Sequence, residues 1–183
     1  MNISRNFKAS LIVAALLSFS VAQAANLTKA EYKAEKTRIS ADYKADKAAC
    51  DAFKANAKDI CVQEAKAKEK VALAEREFSY TGKAADQTKV LEAKAKSAYA
   101  VAKEKCDDQS GNAKDVCVKE AKAVEVKALA DAKLGKQITE AKKDASADKS
   151  DANYKVAIEK CDALAGDAKT SCVATAKTQF GKN

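Results

Sequence analysis

The side chains in this sequence with the most reactive chemistry are cysteines, and their spacing is regular. Three segments each run from one cysteine through ten residues to a second: Cys50 to Cys61, Cys106 to Cys117 and Cys161 to Cys172. They read CDAFKANAKDIC, CDDQSGNAKDVC and CDALAGDAKTSC, and their first cysteines lie 56 and 55 residues apart. Spaced cysteines can exchange thiols and disulfides, hold a soft metal, or staple the chain. Exchange catalysts place C-x-x-C at a helix N-terminus, where the thiolate is stabilised, and no such pair occurs here. A metal centre would call on His, Met or a second close Cys pair. The chain has no His, and its only Met is Met1. The spacing therefore favours structural disulfides, with a cysteine-based redox or soft-metal protein as the alternative.

Other positions recur with the cysteines. Each copy has Asp after its first Cys (Asp51, Asp107, Asp162), Ala-Lys further on (Lys58, Lys114, Lys169) and Val after its second Cys. Tyr43, Tyr99 and Tyr154 each stand seven residues before a first Cys. Two helical turns separate such positions, so each Tyr shares the face of its Cys and is expected to pack against the opposite arm. Repetition at this period marks an array of supersecondary units.

The elements that position the cysteines are helical hairpins. Ala, Lys, Glu and Asp dominate a chain without Pro or Trp, the composition of long helices or coiled coils. Thr28 and Glu31 form a capping box at the start of the first helix. Asn56, Asn112 and Asp167 fall at one position of the three repeats and are expected as N-caps of the returning helices. Gly111 and Gly166 precede two of them, whereas Ala55 stands in the first copy, which predicts a more strained turn there. Folding a hairpin about this turn brings its two cysteines within disulfide reach. The expectation is an all-α, elongated set of antiparallel helical hairpins, coiled-coil-like, in three stapled repeats. Their spans are 25–81, 82–134 and 135–183. Gly82 and Gly135 lie at the junctions; they either break the chain into six helices or are tolerated within two helices of about fifty residues. Asp144 to Asn153 has poor helix formers and predicts a frayed arm.

Residues 1–24 read as a cleaved signal peptide. Arg5 and Lys8 precede an apolar run from Leu11 to Val21, and Ala22-Gln23-Ala24 is a small-x-small cleavage site. Nothing later resembles a membrane helix, so the expectation is an exported, periplasmic protein beginning near Ala25. Removing Arg5 and Lys8 leaves 32 basic against 26 acidic residues, nearly all the basic ones Lys. Such an excess attracts anionic polymers weakly. Nucleic acid is disfavoured, because Arg is scarce and aromatics are not interleaved with a basic stripe.

Enzyme chemistry finds little support. There is no His for proton transfer, no Ser–His or Cys–His pairing and no phosphate-cradling glycine loop. No catalytic residue, metal ligand or cofactor is therefore assigned.

The pattern C-D-x4-N-A-K-D-x-C-V-x-E-A-K, as in Cys106 to Lys122, resembles a group of small exported proteobacterial proteins. These carry two or three such units after a signal peptide, and some are labelled as cell-envelope biogenesis or Tol-stalk-like proteins. The resemblance covers essentially the whole chain after the leader and implies a compartment and an architecture, with no activity. The third copy departs from it, with Thr170-Ser171-Cys172 for Asp-x-Cys and Thr175-Ala176-Lys177 for Glu-Ala-Lys. The functional expectation is a non-catalytic structural or binding protein of the cell envelope. It would present Lys-rich helical surfaces to an anionic envelope polymer or a protein partner, with self-association compatible with the same surfaces.

Overall fold

A computed structural model describes residues 26–182; the expected leader lies outside the described residues. The described chain is all-α, with three disulfides. Five helices follow one another: α1 (Lys29–Ala49), α2 (Ala55–Thr81), α3 (Ala84–Lys105), α4 (Gly111–Asp162) and α5 (Gly166–Gln179). Each packs chiefly against its neighbours in the chain, α1 on α2, α2 on α3, α3 on the first half of α4, and α5 on its last half. The result is a single-layer ribbon rather than a bundle around a shared centre. Small side chains allow the close approach: Ala65, Ala95, Ala132 and Ala176 are buried between helices, with Ile39 and Val90 the larger contributions.

The first helix starts as its sequence dictates. Thr28 Oγ1 accepts the Glu31 amide at 3.2 Å, and Glu31 Oε2 accepts the Thr28 amide at 2.8 Å, closing the capping box. These bonds to its ionised form hold the Glu31 carboxyl below its ordinary range.

The three hairpin turns share one backbone path. The amides of Phe53, Gln109 and Leu164 each donate to the carbonyl of the first Cys at 3.0 Å. Extended residues follow, then a left-handed one: Ala55 at φ 48°, Gly111 at φ 58° and Gly166 at φ 55°. This corrects the expected N-caps. The capping positions are Lys54, Ser110 and Ala165, and none makes a side-chain cap bond. Asn56, Asn112 and Asp167 lie inside the first helical turn, because the left-handed residue before them already belongs to the helix and shifts the extended capping geometry upstream. Asn56 acts between hairpins instead, donating to the Glu104 carbonyl at 3.2 Å and to Asp108 at 2.7 Å.

The two junction glycines behave differently. Gly82 ends α2 in the left-handed region, its amide donating to the Phe78 carbonyl at 2.8 Å. A Cβ there would meet Asn26 Oδ1 at 2.9 Å. Thr81 reinforces the break by donating to the buried Asp86 and accepting the Lys83 amide. Gly135 has no such partners, and α4 runs through it for 52 residues. The boundary expected at 135 thus falls within a continuous helix. Asp144 to Asn153 is helical as well, and residues 133–149 of α4 are all exposed.

Ala55 is the described non-glycine residue with positive φ. A left-handed residue with a Cβ is disfavoured by about 1–2 kcal/mol, partly offset by the greater freedom glycine has when unfolded. Ala55→Gly should therefore raise stability by up to about 1 kcal/mol, and Gly111→Ala should lower it by a similar amount. Thermal unfolding followed by circular dichroism reads both, and equal signs for the two would contradict this turn geometry.

Candidate functional surface

Each repeat concentrates its recurring residues at a hairpin tip. The disulfides join Cys50–Cys61, Cys106–Cys117 and Cys161–Cys172, with Cα–Cα distances of 5.6, 5.7 and 5.6 Å. The first cysteine of each pair is fully buried, and no described cysteine is free. The recurring Asp and Lys meet across the turn: Asp51–Lys58 at 2.8 Å, Asp107–Lys114 at 2.9 Å and Asp162–Lys169 at 3.1 Å. Lys58 donating to the Asp51 carboxylate pulls that carboxyl down, and Asp51 in turn raises the Lys58 ammonium. These pairs are exposed, so each contributes little alone.

Tyr43, Tyr99 and Tyr154 are half-buried where the arms meet. Tyr43 lines an α1/α2 groove with Ile39, Glu69 and Ala72. Tyr99 lines the α3/α4 groove beside the buried Glu125, with Lys122 Nζ 4.8 Å from its ring centre. Tyr154 meets Phe180 edge-on at 6.1 Å, with Lys182 over its ring. Glu69, Glu125 and Phe180 occupy one repeat position, so the same Tyr faces a carboxylate twice and a ring once. Lys122 donates to Glu125 at 2.5 Å, which raises the Lys122 ammonium.

A cluster the sequence reading did not single out lies at the ribbon base. Tyr32 stacks on Tyr80 at 4.4 Å and carries Arg76 on its ring at 4.2 Å, while its hydroxyl donates to Glu77. Arg76 Nη2 donates back to that hydroxyl at 3.1 Å, and its Nε and Nη1 are buried without a hydrogen-bond partner. The ring face supplies the negative potential those donors meet. Next to it, Asp86 is buried and bonded by Lys89 at 2.7 Å and Thr81 at 2.6 Å. Lys89 and Thr81 hold the Asp86 carboxyl down. One signal was available in advance: Arg38 and Arg76 are the only arginines after the leader.

The grooves of the ribbon are open. One, between α2 and α3, is lined by Ala67, Val71, Ala98, Val101 and Ala102. The α3/α4 groove shares Ala98 and Ala102 with it, so both open on one face. Across that face Lys68 pairs with Asp46, Lys105 with Glu64 and Lys94 with Glu75, at 2.7–2.8 Å. Among the described residues, no cluster of His, Cys, Asp or Glu could hold a metal ion, and no helix is long and apolar enough to cross a membrane. No family model, curated protein or solved structure matches the chain.

Closing an eleven-residue loop is worth about 2.5–3 kcal/mol on the loop-entropy view. The double variant Cys106→Ala/Cys117→Ala should lose about that much in urea unfolding, and peptide mapping of the parent protein should return the same three bridges. A loss under about 1 kcal/mol would show that packing, not the cystine, closes the tip.

Glu31, Asp51 and Asp86 have folded-state values below the ordinary carboxylate range. Their stabilisation is present above the unfolded carboxylate value and is lost as pH falls through the folded ones. Lys58 and Lys89 have raised values, so their contribution holds below the unfolded ammonium value and is lost as pH rises through the folded ones. The urea midpoint should thus be flat near neutrality and drop below about pH 4 and above about pH 10. A midpoint that rises on acidification would contradict the sign.

Proposed function

We propose that this chain is a non-catalytic, exported structural or binding protein whose stapled hairpins present helical surfaces to an anionic polymer of the cell envelope or to a protein partner. The observation that carries the reading is the single-layer ribbon itself. With each helix packed chiefly on its chain neighbours, both faces meet solvent, and the molecule offers length and surface rather than an enclosed site. Paired cysteines in every repeat fit an oxidising compartment such as the periplasm. The cationic excess is almost all Lys, spread among acids along every helix. Such a distribution gives weak, salt-screened attraction to polyanions rather than a tight pocket.

The test is co-sedimentation of the disulfide-intact protein with peptidoglycan sacculi and, separately, with lipopolysaccharide. Retention at about 20 mM salt that is largely lost at about 300 mM supports an electrostatic partner. Retention indifferent to salt, or none with either polymer, removes the anionic-polymer reading.

A further inference from the structure

The third repeat departs from the other two around its second cysteine. Asp59 and Glu64 stand two residues before and three after Cys61, and Asp115 and Glu120 hold the same places about Cys117. Around Cys172 both places are Thr, at Thr170 and Thr175, while Lys169 and Lys177 keep the lysine positions of the other copies. Residues three apart are neighbours on a helix surface. Cys61 and Cys117 thus each have a carboxylate beside them, Glu64 (paired with Lys105 at 2.8 Å) and Glu120, where Cys172 has a hydroxyl. Lys169 is itself paired with Asp162 at 3.1 Å, as its counterparts are in the other tips. The charge around Cys172 is therefore more positive than around Cys61 or Cys117.

The third tip is also the least braced. Asn56 ties the first tip to the second through the Glu104 carbonyl and Asp108. α5 is the shortest of the five helices, 14 residues, and packs chiefly on α4. Every residue from Asp162 to Ser171 is exposed, whereas Asn56 and Ile60 in the first loop and Lys114 in the second are half-buried. Within the third bridge the two cysteines differ. Cys161, on whose carbonyl the turn closes, is 1 % exposed. Cys172 is half-buried in the second turn of α5.

We propose that the Cys161–Cys172 cystine is a thiol-exchange site, attacked at Cys172 by a net-anionic peptide thiol, while the other two cystines serve as staples. The thiolate form of the peptide is the nucleophile. It attacks Cys172 Sγ and forms a mixed disulfide there. The bond to Cys161 breaks, and Cys161 leaves as a thiolate that takes a proton from water. A second peptide thiolate then attacks the peptide sulfur of the mixed disulfide and expels Cys172, which is protonated in turn. Two electrons have passed: the hairpin holds two thiols, and the two peptide thiols are joined as a disulfide. The reverse sequence closes the bridge with that peptide disulfide as oxidant. Burial of Cys161 sets which sulfur is attacked. The lysines left without flanking acids favour an anionic nucleophile at this tip over the other two. With the bridge open, α5 is held to α4 by packing alone.

The test uses the folded, disulfide-intact protein and reduced glutathione, with no envelope polymer present, so it stands or falls apart from the polymer reading. Samples taken at intervals at about pH 8 and about 20 mM salt are quenched with N-ethylmaleimide and mapped by peptide. The expected result is that Cys161 and Cys172 are modified before any other cysteine. In the singly exchanged species glutathione sits on Cys172 and the maleimide on Cys161. Thr170→Asp/Thr175→Glu, at two exposed positions, restores the acids of the other copies. It should slow opening of the third bridge about tenfold at this salt and much less at about 300 mM, with helix content matching the parent. Opening of Cys50–Cys61 or Cys106–Cys117 first or equally fast would overturn the proposal. So would glutathione on Cys161, no exchange in the folded protein, or a rate that the double variant leaves unchanged.

Discussion

The three cystines set how closely the arms of each hairpin approach, and the other contacts of the ribbon are arranged around that spacing. Cys50, Cys106 and Cys161 are the largest fully buried side chains among the described residues. In a compact domain that place belongs to Leu, Ile or Phe, which several elements share. Here each helix has at most two substantial neighbours, and Ile39 and Val90 are the larger aliphatic side chains buried in the grooves between them. A cystine fits such a groove, because its bulk lies along the line joining the helices. It also removes loop freedom from the unfolded chain, which helps most where little apolar surface is buried.

Away from the tips the repeats keep a common frame and fill it differently. Ala65 and Ala176 are buried at the same repeat position, four residues past the second cysteine. There the helices are still held close, and only a methyl fits. Further along, the first hairpin ends in stacked Tyr32 and Tyr80 under Arg76, the second buries Glu125 beside Tyr99, and the third places Phe180 against Tyr154. The charged examples persist because each buried carboxylate or guanidinium has a partner at contact distance: Lys122 for Glu125, Lys89 and Thr81 for Asp86, and the Tyr32 ring for Arg76. Unpaired, such groups would weigh against a hairpin of this size.

What could be read from the residues divides along physical lines. The helical class, the hairpins, the pairing of Cys50 with Cys61 and its counterparts, and the Thr28 capping box all depend on local spacing and composition, which the sequence displays directly. The N-caps were misplaced because Asn56, Asn112 and Asp167 have capping chemistry but follow a left-handed residue that the helix already includes. The fate of Gly82 and Gly135 was undecided because it turns on neighbours in space. Asn26 and Asp86 close around Gly82, and nothing lies within 4 Å of a Cβ built at Gly135. The base cluster was missed for the same reason: Tyr32 and Arg76 are 44 residues apart and meet only once the first hairpin is closed.

Continuity through Gly135 has a geometric consequence that a turn would have erased. A turn lets two hairpins choose their relative orientation by packing, as α2 and α3 do. Within one helix the orientation is set by counting. Cys117 and Cys161 both lie in α4, 44 residues apart, which is about twelve turns and a further 80°. The third hairpin therefore leaves the helix about a quarter-turn away from the direction in which the second one leaves it. Substitutions along 133–149 that keep the helix leave this angle alone, because it is set by the number of residues between the two cysteines. One residue more or less would swing α5 by about 100° around the axis of α4. The span is exposed, yet its length is the quantity that fixes how the third hairpin stands to the rest.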